Sequence, residues 1–460
     1  MTNSNLVTLD LSHNSIGLKG ARVLSESLKT NSTLTTLNLK RSIGPREIQV
    51  LCGALKNNTT LTTLNLANNL LGSEGGKALS ETLKNNSTLI TLNLASNLLG
   101  GDGIKELSEA LKINSTLTTL DLEANFFELD STQALCESLK INSNLTTLNL
   151  KGTIGPIGAP ALSEVLKINL TLTNLDLSSN SFGYKAAKAL SEALKLNSTL
   201  ITLDLVNNVI RDRGAQALSE ALKINSSLTT LCMINNGIGY NGAKALFKVL
   251  RTNSALTTLS LCYNSIGVNG GQALSKAFKT NLNLTTLDLS NNWIDVDGAQ
   301  ALSEVLKTNS PLTTLKLGHN MIGSEGAHEL STALKTTSIL TTLDLSYNLI
   351  RDDGAQALFE ALKTNSTLIN LKIDNNLFGD NGAKALSETL KINSNLITLE
   401  VTSKYIGFNG AQALCEALKI NSTLNTLIIG SNSLRCNGIP TQSKALNNNS
   451  RVIVKNCWYG

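Results

Sequence analysis

The chain has 460 residues, with 39 Lys plus Arg against 34 Asp plus Glu for a net charge of +5, 41% apolar residues and only 3% aromatics. That balance excludes a disordered chain, and seven cysteines are too sparse for a disulfide scaffold. With so few aromatics the core has to be built from Leu, Ile, Val and Ala, the composition of a repeated module.

Taken in chain order, the start MTNSNLVTLDL lacks a basic stretch followed by an apolar run, and nowhere do about 18 apolar residues stand together, so neither export nor membrane insertion is expected. Self-similarity begins at once. The pattern L-x-x-L-x-L opens sixteen repeats, at Leu6, Leu34, Leu61, Leu89, Leu117, Leu145, Leu172, Leu200, Leu228, Leu256, Leu284, Leu312, Leu340, Leu368, Leu396 and Leu424. Thirteen steps are 28 residues and two are 27, which leaves no room for an inserted domain. Repeat 13 is typical: alternation around Leu343 and Leu345 predicts a short strand, and Ala355, Leu358 and Leu362 predict a helix with one buried stripe. Asn stands eight residues after the first Leu in thirteen units, where its amide can satisfy the backbone of the bend. A second Asn, as at Asn31, Asn114, Asn197, Asn365 and Asn421, lies in Asn-x-Ser/Thr sequons at one fixed phase, so its role is read as structural rather than as glycan attachment.

These units resemble the leucine-rich repeat family, specifically the ribonuclease-inhibitor-like subtype with 28-residue repeats, and are similar to the repeat arrays of NOD-like receptors and to Ran GTPase-activating proteins. The resemblance implies an α/β right-handed solenoid, a horseshoe with a parallel β-sheet on the concave face and α-helices on the convex face. It covers a single domain over 1–460: sixteen repeats (6–451) and a short capping segment (452–460) in which Val452-Ile-Val454 starts a strand before Lys455 breaks the pattern. Strand and helix spacings of about 4.8 and 9 Å in layers about 10 Å apart would turn each repeat by roughly 20–25°. At the other end Leu6, Leu9 and Leu11 begin with no visible cap. Either that edge is covered by another protein or a second copy, which makes self-association an expectation, or the chain is the tail of a longer product.

No phosphate-binding Gly-x-x-x-x-Gly-Lys-Ser/Thr is present, and His13, His319 and His328 are too dispersed to form a metal set or a nucleophile–base pair, so neither a catalytic nor a metal site is expected, and no cofactor. Cys52, Cys136 and Cys415 take a helix position where other repeats carry Ser, and Cys232 and Cys262 sit on neighbouring strands; reduced thiols and a cytoplasmic location are the expectation. Glu109/Lys112, Glu192/Lys195 and Glu220/Lys223 are solvated helix pairs worth about 0.3 kcal/mol each. No basic run with interleaved aromatics suggests nucleic acid.

Recognition should reside at strand positions five, seven and eight, counted from the first Leu. Position five is acidic or amide through repeat 8 and then diversifies to Cys232, Ser260, Asp288, Lys316, Asp344, Lys372, Glu400 and Ile428. Val206, Cys232, Ile234, Cys262 and Tyr263 form a candidate apolar cluster, and Lys316, His319, Tyr347, Lys372 and Asp374 a mixed one beyond it, with Trp293 between. Drift of an unconstrained surface would also produce such variation. A weaker candidate is Lys40, Arg41 and Lys151 in the two shortened repeats, which both gain Gly-Pro and lose the ladder Asn. The resulting expectation is a non-catalytic module that binds a protein partner on the concave face, the alternative being a GTPase-activating protein for a Ran-like small GTPase.

Overall fold

In the computed structural model the described residues are 5–278, 281–307, 311–337, 339–430 and 452–454. Each repeat opens with a strand that is mostly three residues long, Thr-Leu-Asp or Thr-Leu-Asn, as at Thr8–Asp10 and Thr342–Asp344. The β-branched Thr and the inward Leu suit a pleated, half-buried surface, and the Leu at position four is buried in repeats 2 to 16. Helices of 9 to 13 residues follow in repeats 1 to 15, from Leu18–Thr30 to Phe408–Leu418. In repeat 13 the expected stripe is the one that is buried: Ala355, Leu358 and Leu362 expose no more than 1%.

The repeats form two compact units. The first holds residues through Ile210 together with Glu220–Cys232; the second holds Arg211–Ser219 and Met233 onward. In the first, nine parallel strands pair in strict register, position three on position three and position five on position five. In the second, the parallel ladder runs from Thr258–Ser260 to Thr426–Gly430 and on to Val452–Val454, the strand expected there. The rest of the expected capping segment, with Lys455 and Trp458, lies outside the described residues.

Two ladders of asparagine hold neighbouring repeats together. At the bend, Asn97 donates through Nδ2 to the carbonyls of Leu66 and Leu94, both at 2.9 Å, while its Oδ1 accepts the Asn69 N–H at 3.0 Å. The same pattern recurs at Asn125, Asn180, Asn292, Asn348 and Asn376, all nearly fully buried. Every bond made this way spares a buried backbone group the penalty of about 1–3 kcal/mol for going unpaired. After the helix, Asn114 Nδ2 donates to Leu83 O at 2.9 Å and its Oδ1 accepts the N–H groups of Thr116 and Leu117. Sequon asparagines such as Asn114, Asn197, Asn365 and Asn421 are therefore buried structural groups.

In the two shortened repeats, where the bend Asn is missing, a hydroxyl replaces it. Ser42 Oγ donates to Leu11 O at 2.6 Å, and Thr153 Oγ1 to Leu122 O at 3.2 Å. Helix backbones also touch: a Cβ on Gly76 would lie 2.8 Å from Gly103 Cα, and one on Gly271 2.4 Å from Gly298 Cα, so only glycine fits there.

Candidate binding face

On the sheet face of the first unit, position five is a turn cap. Asp10 Oδ1 accepts the Ser12 N–H at 2.8 Å, and the same i to i+2 bond is made by Asn38, Asn65, Asn93, Asp121, Asn149, Asp176 and Asp204. The carboxylate or amide oxygen closes the strand end against the next peptide. Burial pushes the Asp121 and Asp176 carboxyls above the ordinary carboxylate value, with Asp204 opposite Asp176 adding to the second.

The second unit treats the same position differently. Asp288 and Asp344 keep the cap, to Ser290 N–H at 3.0 Å and Ser346 N–H at 2.9 Å. Between and beyond them stand Lys316, Lys372 and Glu400, and the register places Asp288, Lys316, Asp344, Lys372 and Glu400 side by side across five strands. Charge alternates at every step. Lys372 Nζ lies 2.8 Å from Glu400 Oε1, and this contact raises the lysine pKa, whereas Lys316 is 3.7 Å from Asp288 Oδ2. Asp374 accepts a bond from Asn375 Nδ2 at 2.8 Å, yet burial still drives its carboxyl upward.

Position eight adds a backbone constraint that the sequence reading missed. It is left-handed in repeat after repeat, from His13 (φ 58°) through Arg41, Asn68, Ser96 and Ala124 to Asn375 (φ 53°). Gly, Asn and His suit this region, but bulky side chains such as Tyr are strained in it by about 1 kcal/mol or more. Tyr263 and Tyr347 nonetheless occupy it, as does His319, each at φ 54°. The rings of His319 and Tyr347 stack with centroids 3.9 Å apart and planes 14° from parallel. Trp293, at position ten, is likewise left-handed (φ 58°) and 63% exposed.

The structure thus brings together His319 with Tyr347 and sets Lys316 and Lys372 in one ladder with three carboxylates. The expected apolar cluster is divided: Val206 and Cys232 belong to the first unit, Ile234, Cys262 and Tyr263 to the second. Cys262 is buried, so it offers little surface, and burial raises its thiol to about 11. Cys52 and Cys136 are also free and buried, at about 11 and about 12, which makes them unreactive. In the shortened repeats Lys151 is engaged by Glu123 at 2.9 Å, and Arg41 is exposed. Among the described residues, no group of three His, Cys, Asp or Glu side chains could hold a metal ion, and no helix is long and apolar enough to cross a membrane. Asp288, Asp344 and Glu400 belong to the face although they were not singled out as candidates; the signal was the D, K, D, K, E order at 28-residue spacing.

The chain belongs to the leucine-rich repeat family. The Leucine Rich repeat model matches residues 2–25, 169–191, 196–219, 225–247, 252–275, 280–303, 308–331 and 338–359, and the TMOD/LMOD Leucine-rich domain matches residues 36–125. No curated protein matches the sequence. Among solved structures, the chain is similar to TLR13 in its complex with ssRNA13 (18% identity, 98% of this chain and 65% of that one, TM-score 0.50). It is also similar to a chain of the Rad7 and Elc1 complex in yeast (14%, 96% and 89%, TM-score 0.45) and to leiomodin-1 actin-binding site 2 (23%, 33% and 86%, TM-score 0.29). The first of these likenesses is one of fold, in accord with strand–helix repeats whose strands run parallel.

Proposed function

We propose that the chain is a non-catalytic, cytoplasmic protein-interaction module that captures a protein partner on the sheet face of its second unit. The observation that carries this reading is the charge ladder from Asp288 to Glu400, flanked by the stacked pair His319 and Tyr347. Leucine-rich repeat arrays are built to present long sheet surfaces to partners. A face that gives up turn caps for lysines and bears aromatics at left-handed positions is organised for contact rather than for its own stability. Alternating charge adds register: a partner shifted by one strand, about 4.8 Å, would meet like charges throughout.

The test compares pull-downs from native lysate by the wild type and by a Tyr263→Ala, Tyr347→Ala, Lys372→Glu variant of equal melting temperature. A partner retained by the wild type alone is the expected result. Equal recovery by both would remove this face from the function.

A further inference from the structure

The two shortened repeats omit the same residue. In the 28-residue units the bend carries an exposed side chain at position ten, directly before a buried anchor: Leu70 before Leu71, Leu98 before Leu99, Val209 before Ile210, Leu349 before Ile350. In repeats 2 and 6 the buried anchor, Ile43 or Ile154, instead follows directly on Ser42 or Thr153. The exposed residue is the one missing. The row of position-ten side chains loses a residue at both repeats, and a recess lies at each deletion, a shallow one at repeat 2 and a deeper one of about 390 Å³ at repeat 6.

We propose that the cavity at repeat 6, within the first unit, is a socket for one bulky apolar side chain of a partner polypeptide that carries Arg or Lys beside it. Phe126 forms one wall and Ile157 another, each 69% exposed, and Phe126 is held in the left-handed region at φ 48°. The floor is already satisfied: Asn180 Oδ1 accepts the N–H groups of Thr153, Ile154 and Gly155 at 2.9, 2.9 and 3.1 Å. A cavity whose floor N–H groups are engaged in this way gains less from water and more from an apolar group. The charged side chain lining it is Glu128, exposed at the rim with no cation among the lining residues, so the rim favours a basic neighbour on the incoming chain. At the low end of the roughly 300–1,000 Å³ of ligand sites, the volume suits a side chain or two rather than a domain. The gap at repeat 2, lined by Arg41 and Glu47, has the same origin but a different charge.

The test pans phage-displayed random peptides on the full chain and measures the enriched peptides on variants by fluorescence anisotropy. Ser181→Trp fills the socket from its far wall. Ser181 stands at position ten with φ 55°, and Trp293 already holds a tryptophan at that position with φ 58°, so the backbone accepts the change. Enriched peptides should share a bulky apolar residue next to Arg or Lys. They should bind about tenfold more weakly to Ser181→Trp, which stays folded at the assay temperature but melts slightly lower because a bulky residue takes the left-handed position, and about threefold more weakly to Glu128→Gln, whose melting is unchanged. The Tyr347→Ala, Lys372→Glu variant should bind them as the wild type does, because those residues lie in the other unit. Absence of a consensus, an acidic consensus, or equal binding to Ser181→Trp would overturn the proposal.

Discussion

The two units share an interior and differ at one surface position. Both are stitched by the same buried asparagine ladder, with Asn97 and Asn348 making equivalent bonds to the preceding repeat. The first unit keeps a capping Asp or Asn at position five from repeat 1 to repeat 8; the second puts Lys316, Lys372 and Glu400 there. Once the internal ladder secures each coil, the strand-end cap becomes expendable, and its side chain is free to carry specificity. The second unit therefore trades a little stability for a patterned face.

The strongest challenge to that comparison is the ladder itself. Asn180→Ala in the first unit removes three acceptor contacts and three donor contacts to backbone, and should cost about 3–4 kcal/mol. Asn348→Ala in the second should cost nearly as much, because it too is fully buried and bonded to Leu317 and Ser346. Urea unfolding followed by circular dichroism, with hydrogen exchange to localise the loss, measures both. A much smaller cost for Asn348→Ala would show that the units differ inside as well as on the surface.

The exchange of position five can be run in both directions. Asn65→Lys deletes the cap on the buried Ala67 N–H, and its flanking residues in register, Asn38 and Asn93, offer no charge in return, so about 1 kcal/mol should be lost. The reciprocal Lys316→Asn restores a capping amide and gives up a long 3.7 Å ion pair from a half-exposed lysine, so stability should rise by about 0.5 kcal/mol while partner capture falls. If Lys316→Asn destabilises, the ladder of charges supports the fold rather than recognition. Tyr263→Asn tests the strain at position eight alone: the ring is 57% exposed, and relief of its left-handed backbone should give about 0.5–1 kcal/mol in thermal unfolding.

Much of this was legible beforehand, and the reason is periodicity. A 28-residue phase locates strand, bend and helix in each unit, and the buried Leu and Asn positions follow from it, as at Leu343, Leu358 and Asn348. What stayed hidden depends on bonds and dihedrals that no period encodes. The acidic or amide run from Asp10 to Asp204 looked like surface chemistry but is a row of turn caps, since the i to i+2 bond is a matter of backbone geometry. The left-handed conformation at Tyr263 and Tyr347 is invisible where the residue type disfavours it. The shortened repeats were visible as a coincidence of Gly-Pro and a lost Asn, but the cavities at the deletions needed the neighbouring side chains Leu70 and Phe126 in place.

The smallest expected effect isolates charge within the first unit. Asp176 faces Asp204 across adjacent strands, and burial together with that neighbour holds its carboxyl above the ordinary 3.8. The folded state therefore binds this proton more readily than the unfolded chain, and between 3.8 and the raised value stability falls as pH rises. Asp176→Asn keeps an oxygen to accept the Ser178 N–H but removes the like-charge contact, so it should stabilise by about 0.5 kcal/mol at neutral pH. That gain should shrink as pH falls through the raised value and vanish below 3.8, where aspartic acid and asparagine are both neutral. The same substitution at Asp344, which is flanked by Lys316 and Lys372 instead of a second carboxylate, should be neutral or destabilising at pH 7. Paired melting curves for the two variants across the acid range distinguish the self-repelling face of the first unit from the charge-matched face of the second.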